Sequence, residues 1–597
     1  MRFLKYSFTL VLASMAVASY GQQTTHFTDV MLFDGQDVIG PTDVLVVNGK
    51  IAEIKSNITP PANSRMIQGM GHTLLPGMID CHNHAFHEGH LKEAALFGVT
   101  TEMDMMSIPQ VARGLRQQQA DGQANGRADL FSAGAAVTVN GGHGTQFGFP
   151  VPTLDKAENA AAFIAARKQE GSDFIKVIYE DGSAYGFTRP TLSEEMVRSA
   201  IDAAHNQNML AVAHVSTLAG AELVVKHGID GLVHLFCDRK ISDALLTQMA
   251  ERNVFVVPTA CVVSNASGKN LTAMVAQDEH LVPLLDQEAL ASLSRTFPQR
   301  TGLSSSVEIL NHNIKALHDA GVRVLAGTDA LNPGTSHGIS MHHELRLLVN
   351  AGLSPTQALK GSTSLPAECF GLEDRGRIQV GKRADLILVN GEPHTNIADL
   401  AKIVGVWKAG HPIDRQSKIE RIRKAANPSP STGATRIISY FEEEDVDSDF
   451  GVGWSKSTDS IMGGSSTADM KLIEGGAEDS KGALAVSGQT QTKQPAFSGV
   501  MFSPGNAPMQ PSDLSSNKTL TFWSKGDGST FQVMLFFQKR GFNPSMNSFV
   551  AKSEWTKHSF DISSFDGCDG TDIIGIWFGS GVPGKFEFQI DQVQLEN

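Results

Sequence analysis

Residues 75–84 read LPGMIDCHNH, so His82 and His84 stand one residue apart at the end of an apolar run. On a strand, residues i and i+2 share a face. Both imidazoles would then point the same way, as the first two ligands of a divalent metal or as two ordinary polar residues at a strand end. Four more residues of suitable type lie in or near the ends of later apolar runs: Lys176 in FIKVIY, His214 in LAVAHVS, His234 in GLVHLF and Asp329 in VLAGTD. Each alone reads equally well as a satisfied core group. Gathered around one opening, four imidazoles and a carboxylate suit Zn²⁺ or a similar divalent ion.

Lys176 raises a separate question. Inside an apolar run its ammonium would be buried at high cost and would repel nearby cations. It either pairs with Glu180 or Asp181, or it is a neutral amine that has taken up CO2. A carbamate has two oxygens and a negative charge, enough to bridge two metals; spacing does not choose between these. His143, in TVNGGHGTQFG, is held by glycines on a tight loop and reads as a mouth residue or a surface loop histidine. Tyr179 follows Lys176 by three residues, where the run ends, and is placed to touch substrate or to pack in the core.

These residues converge only if their runs are neighbouring strands. Eight strand-like runs are predicted at 73–82, 98–105, 129–138, 173–180, 210–216, 231–236, 254–260 and 322–329. Segments such as SEEMVRSAIDAAHNQN and LAGAELVVKHG between them have helical spacing and end at Asn or Gly. The pattern predicts an α/β fold, a (β/α)8 TIM barrel over 73–375, with the site residues at the C-terminal ends of its strands. The long helical stretch 264–321 is read as a lid. Alternating runs at 29–54 and again at 384–407 predict a small composite β-sandwich built from 22–72 and 376–412. Pro, Ser and Gly mark a linker at 413–435. The remainder, 436–597, lacks helical periodicity and reads as a separate all-β sandwich.

The first residues look like an address. Arg2 and Lys5 precede the apolar FTLVLASMAVA and the small residues around Tyr20, the layout of a secretory signal peptide at 1–21. The expected location is periplasmic or secreted. A net charge of −14 without a long basic run argues against a nucleic-acid partner. The five cysteines are odd in number, widely spaced and lack a CxxC, so no disulfide framework is expected.

LPGMIDCHNH, His214 and His234 at strand ends, LAGTDA, and TSLPAECFGLEDRGRIQVGKRADLILVNGEP together resemble the amidohydrolase superfamily, in its imidazolonepropionase-like and prolidase-like branch. The resemblance covers residues 25–412. It implies two divalent metals, zinc foremost, held by His82, His84, His214, His234 and Asp329, with a carboxylated Lys176 as the bridge. It implies that a metal-bridging hydroxide attacks the carbonyl of a small-molecule amide, that His143 polarises that carbonyl, and that Asp329 moves the proton. The preferred substrate is a dipeptide or an N-acyl amino acid. A cyclic amide, a lactone or another ester is the nearest alternative, and a glycan- or protein-binding protein with an inactive barrel is the alternative of another class. WSKSTDSIMGGSS, FSGVMFSP and FQIDQVQLE resemble the complex I intermediate-associated proteins, a galactose-binding-like sandwich, which implies a glycan or protein ligand there. The oligomeric state is not legible.

Overall fold

At Gly77 one sheet ends and another begins. The run 73–82, expected as one strand, is two: His72–Pro76 and Met78–Asn83. A Cβ at Gly77 would collide with the Thr100 side chain, so only glycine lets the chain turn from one layer into the next there. His72–Pro76 pairs with Leu386–Asn390, whereas Met78–Asn83 pairs with Val99–Asp104.

The computed structural model describes residues 24–146, 150–298, 306–426, 435–442, 446, 448–459, 465–492, 496–505, 510–540 and 543–597. The expected signal peptide 1–21 and residues 427–434 of the expected linker lie outside them. Two units result, one of Met1–Val275 with Thr296–Ile413 and the other of Ala276–Arg295 with Asp414–Asn597. No helix among the described residues is long and apolar enough to cross a membrane.

In the first unit, strands from both ends of the unit, 24–76 and 386–412, form one connected eight-stranded sheet. The reason is Thr24–Phe33. It pairs with Val38–Val47 on one side and, on the other, with Arg65–Gln68 and then His72–Pro76 in succession, with register shifts along the way. Its apolar face, with Phe27, Leu32, Val44, Leu386 and Trp407, is a core of its own.

The remaining strands of this unit are parallel and run in sequence order. Met78–Asn83, Val99–Asp104 and Asp129–Ser132 form one group; Ile175–Ile178, Ala211–His214, Gly231–Val233 and Phe255–Val257 form the other. Single bridges at Val137–Val177, Val256–Val324 and Asn83–Ala330 lie between them. The eighth run, expected as a strand over 322–329, forms no ladder. The left-handed backbone of Asp329 (φ 55°) ends its extended geometry. Its backbone groups are used singly: Cys81 N–H donates to Ala326 O at 2.9 Å, and Thr328 and Asp329 N–H both donate to His82 O.

Helices pack outside these strands by an ordinary logic. In Glu194–Asn206, Val197, Ala200, Ile201 and Ala204 repeat at helical spacing and are buried on one face. Ser193 accepts the Met196 N–H as N-cap, worth about 1 kcal/mol. Leu218–Lys226 is started the same way by Thr217. At the start of Asp129–Ser132, the buried Asp129 Oδ2 is met by Arg375 Nη1 at 2.7 Å, Arg383 Nη1 at 2.6 Å and Lys408 Nζ at 3.0 Å. All five cysteines are free.

The predicted lid 264–321 does not stay together: Ala276–Arg295 belongs to the second unit, while the helix Val307–Asp319 packs in the first. The second unit also takes Arg415–Ala426, a helix inside the segment expected as linker, where Asp414 caps the Ser417 N–H. Beyond it lie two antiparallel sheets, of six and five strands. Phe502, Phe522, Phe578, Phe588 and Ile590 contribute to a shared core between them.

Candidate active site

The strand ends deliver their polar residues to one place. Asp329 Oδ1 is 3.4 Å from His82 Nε2 and 3.1 Å from His84 Nε2, and its Oδ2 is 3.9 Å from His234 Nε2. Lys176 Nζ is 3.2 Å from His82 Nε2, and not near the Glu180 or Asp181 partners that spacing suggested. The His214 ring stands 4.3 Å from that of His234, centroid to centroid. Gly327 makes this possible, since a Cβ there would lie 2.8 Å from His82 N. Asp80 locks the junction: it accepts the His82 N–H, the Thr328 N–H and the Thr328 hydroxyl.

The histidine tautomers can be assigned from their outer partners. His84 Nδ1 is 2.8 Å from the Met106 carbonyl, which can only accept, so the proton of the neutral ring is on Nδ1. His234 Nδ1 is 2.7 Å from Thr259 Oγ1, whose own proton goes to Pro258 O at 2.8 Å. That ring is also protonated on Nδ1. Both Nε2 lone pairs therefore face the Asp329 carboxylate, and Asp329 Oδ1 has no hydrogen bond of its own. Lone pairs facing lone pairs at such distances call for a cation between them. Ligands at 2.0–2.1 Å from one tetrahedral zinc lie about 3.4 Å apart, close to the separations here. His82, His84 and Asp329 form a possible metal site on distance alone. His234, Thr259 and Asp329 all carry positive φ (87°, 49° and 55°), backbone strain of a kind that collects at functional sites.

Burial pushes the His82, His214 and His234 pKa values well below the usual range, and neighbouring cationic groups add to this. Burial also brings Lys176 down to about 8, against the pull of Asp329 and Asp104. Burial works the other way on Asp329, but the surrounding His84, His234 and Lys176 outweigh it and hold the carboxyl below its ordinary value.

These groups open into a cavity of about 250 Å³. His84, Lys176, His214, His234 and Asp329 lie on its floor, and His143 stands on its wall with Ile178, Phe187, Val262, Val263 and Phe297. His143 is 4.6 Å from His214 between ring centroids, so the glycine loop does bring it to the mouth. Burial, then His214, Arg189 and Lys176, keep its pKa well below the usual imidazole value. Tyr179 is placed elsewhere: its ring packs toward Gly220 and the apolar core and does not line the cavity. Tyr185 does, from the loop after Ile175–Ile178, together with Glu180, Phe187 and Arg189. That loop, GSAYGFTR, supplied none of the residues singled out from the sequence. Its glycines and two aromatics so close to Lys176 were the available signal.

Residues 73–414 match the Amidohydrolase family, and residues 440–568 match Complex I intermediate-associated protein 30. An imidazolonepropionase of Streptomyces coelicolor is 24% identical, with 62% of this chain and 90% of that protein covered. An ochratoxinase of Aspergillus niger is 22% identical, with 56% and 75% covered. The crystal structure of a Xaa-Pro dipeptidase with methionine bound in its active site superimposes with a TM-score of 0.54 at 23% identity, covering 65% of this chain and 99% of that one. This likeness speaks to fold, and implies the TIM barrel for the parallel strands of the first unit.

Proposed function

The chain belongs to the amidohydrolase family, and from that premise we propose a metal-dependent hydrolase that cleaves the C–N bond of a dipeptide or an N-acyl amino acid. The observation that carries this reading is the pair of outward-tied histidines, His84 and His234, whose inner lone pairs meet the Asp329 carboxylate. Two divalent ions, zinc first among them, would be held by His82, His84, His214, His234 and Asp329, with Lys176 as a carbamate between them. Burial of the Lys176 amine supports the carbamate, because only the neutral amine takes up CO2. In the same reading the bridge contacts along Met78–Asn83 and Val324–Ala330 close the barrel.

When bound, such ions activate a water and polarise a carbonyl. The residues do the rest. Asp329 accepts the proton of the attacking water and hands it to the leaving nitrogen. His143 donates a hydrogen bond to the carbonyl oxygen as charge develops there. Ile178, Phe187, Val262, Val263 and Phe297 shield the reacting centre and accept an apolar substituent. The Xaa-Pro dipeptidase among the structural neighbours supports the dipeptide choice. A periplasmic or secreted location follows from reading 1–21 as a signal peptide, and the C-terminal sandwich is read as a module for a glycan or protein ligand.

The test is a hydrolysis panel of dipeptides, N-acyl amino acids, a cyclic amide, a lactone and simple esters, with elemental analysis of the same sample. Two metals per chain and turnover of a linear amide are expected. One metal per chain without a carbamate would remove the two-metal claim. Activity confined to the lactone, esters or cyclic amide would move the substrate class, and no hydrolysis with added zinc would revive the binding-protein alternative. Thr259→Val tests the metal claim from its outer edge. It keeps the shape but removes the acceptor of His234 Nδ1–H, so zinc affinity should fall about 10- to 100-fold by competition with a chelator. Unchanged affinity would take His234 out of the ligand set.

A further inference from the structure

An imidazole can polarise a carbonyl only through an N–H that faces it, and a neutral ring has one proton to place. At His143 the placement is dictated from outside. Nδ1 lies 2.7 Å from Arg189 Nη1. A guanidinium is donor-only and stays protonated, so Nδ1 must accept. Gln146 agrees: its Oε1 accepts the Gly144 N–H at 2.8 Å, which turns Nε2, another donor, toward the same Nδ1 at 3.5 Å. The proton of the neutral ring is left on Nε2.

Both partners are themselves held. The Thr138 hydroxyl donates to the His143 carbonyl at 2.8 Å. The Arg189 backbone N–H donates to Asp181 O at 2.9 Å, and its guanidinium lies 4.6 Å over the Phe187 ring. We propose that Arg189 is a positioning residue that locks His143 in the Nε2–H tautomer. The loop after Ile175–Ile178 thus decides which hydrogen-bonding face the loop after Asp129–Ser132 presents to the cavity. The inference deepens the reading of His143 as the group that polarises the carbonyl, and for its catalytic consequence it rests on that reading. At 3.5 Å Gln146 alone is too weak a donor to select the tautomer.

The tautomer can be read without any substrate. In the zinc-loaded full chain labelled with ¹⁵N-histidine, His143 is identified by the signals lost in His143→Gln. The wild type should show a protonated Nε2 and an accepting Nδ1. Arg189→Met should give a mixture or the reversed tautomer, while Arg189→Lys, which keeps a donor, should retain Nε2–H at least in part. A protonated Nδ1 in the wild type, or an unchanged pattern in Arg189→Met, would overturn the proposal. Kinetics on the fastest amide of the panel give a second reading. Arg189→Met should lower kcat roughly 10- to 100-fold with KM little changed. In a His143→Gln background, where an amide donor has no tautomer to set, the same substitution should cost less than about twofold. Equal losses in both backgrounds would also overturn it. If His143→Gln and His143→Ala both left turnover unchanged, the fault would lie with the role given to His143, and the ¹⁵N result would still stand on its own.

Discussion

Asp329→Asn should lower amide turnover by about 10³- to 10⁴-fold while bound metal falls little. The substitution is chosen for what it preserves. Asn keeps an oxygen that can face His82 and His84, and it tolerates the left-handed backbone that Asp329 adopts at φ 55°. What it loses is the ability to take up a proton. Asp329 is held below its ordinary pKa, so in the wild type it is a carboxylate throughout the neutral range and ready to accept. Initial rates and elemental analysis on the same preparation check both halves. Wild-type turnover in the variant would sink the proton-transfer role. A loss of metal as large as the loss of rate would recast Asp329 as chiefly a ligand.

The second large effect is on stability. Asp129→Ala should cost roughly 3–5 kcal/mol, because it removes the one buried carboxylate that all three cations share and leaves them only the flanking Asp374 and Asp385. Arg375, Arg383 and Lys408 all meet the same oxygen, and Arg375 and Lys408 are nearly inaccessible to solvent. Asp129→Asn, which keeps the shape, should cost almost as much if charge is the cause and little if packing is. Urea unfolding of the first unit measures both; a loss under about 1 kcal/mol in each would show that the cluster is not needed for stability. The pH dependence has a definite sign. Burial opposes ionisation of Asp129, but Lys408, Arg383 and Arg375 outweigh it and hold the carboxyl well below the usual range. Its contribution is therefore fully present above the unfolded carboxyl value of about 3.9 and is lost as pH falls through the lower folded value.

Continuous apolar runs located the parallel strands, which are buried on both faces, and period-3.6 patterning located helices such as Glu194–Asn206, which bury one. Both failed where a local steric event decides the backbone. The step at Gly77 depends on Thr100, twenty-three residues away, and the close approach of the eighth run to His82 depends on Gly327 having no Cβ. The site divides the same way. His82, His84, His214, His234 and Asp329 could be named because they close apolar runs, and Lys176 because it interrupts one. Thr259 and Met106 could not, since one acts through a hydroxyl and the other through a backbone carbonyl, and neither leaves a mark in composition. Tyr179 was placed by its distance along the chain from Lys176, but the strand directs its ring away from the cavity and Tyr185 occupies the wall instead.

The connected sheet of the first unit has a consequence for the order of synthesis. Leu386–Asn390 lies between His72–Pro76 and Ile403–Lys408, and is made over three hundred residues after the strand it pairs with. On the ribosome, His72–Pro76 therefore waits with one edge open while the whole set of parallel strands emerges. Arg375, Arg383 and Lys408 arrive in the same late stretch, so Asp129 waits for its cations as well. The final part of the first unit to leave the ribosome is thus what closes the sheet and neutralises the buried charge. A nascent chain stopped before Arg375 would have neither, and the first unit is built to complete its folding after translation has passed its end rather than strand by strand.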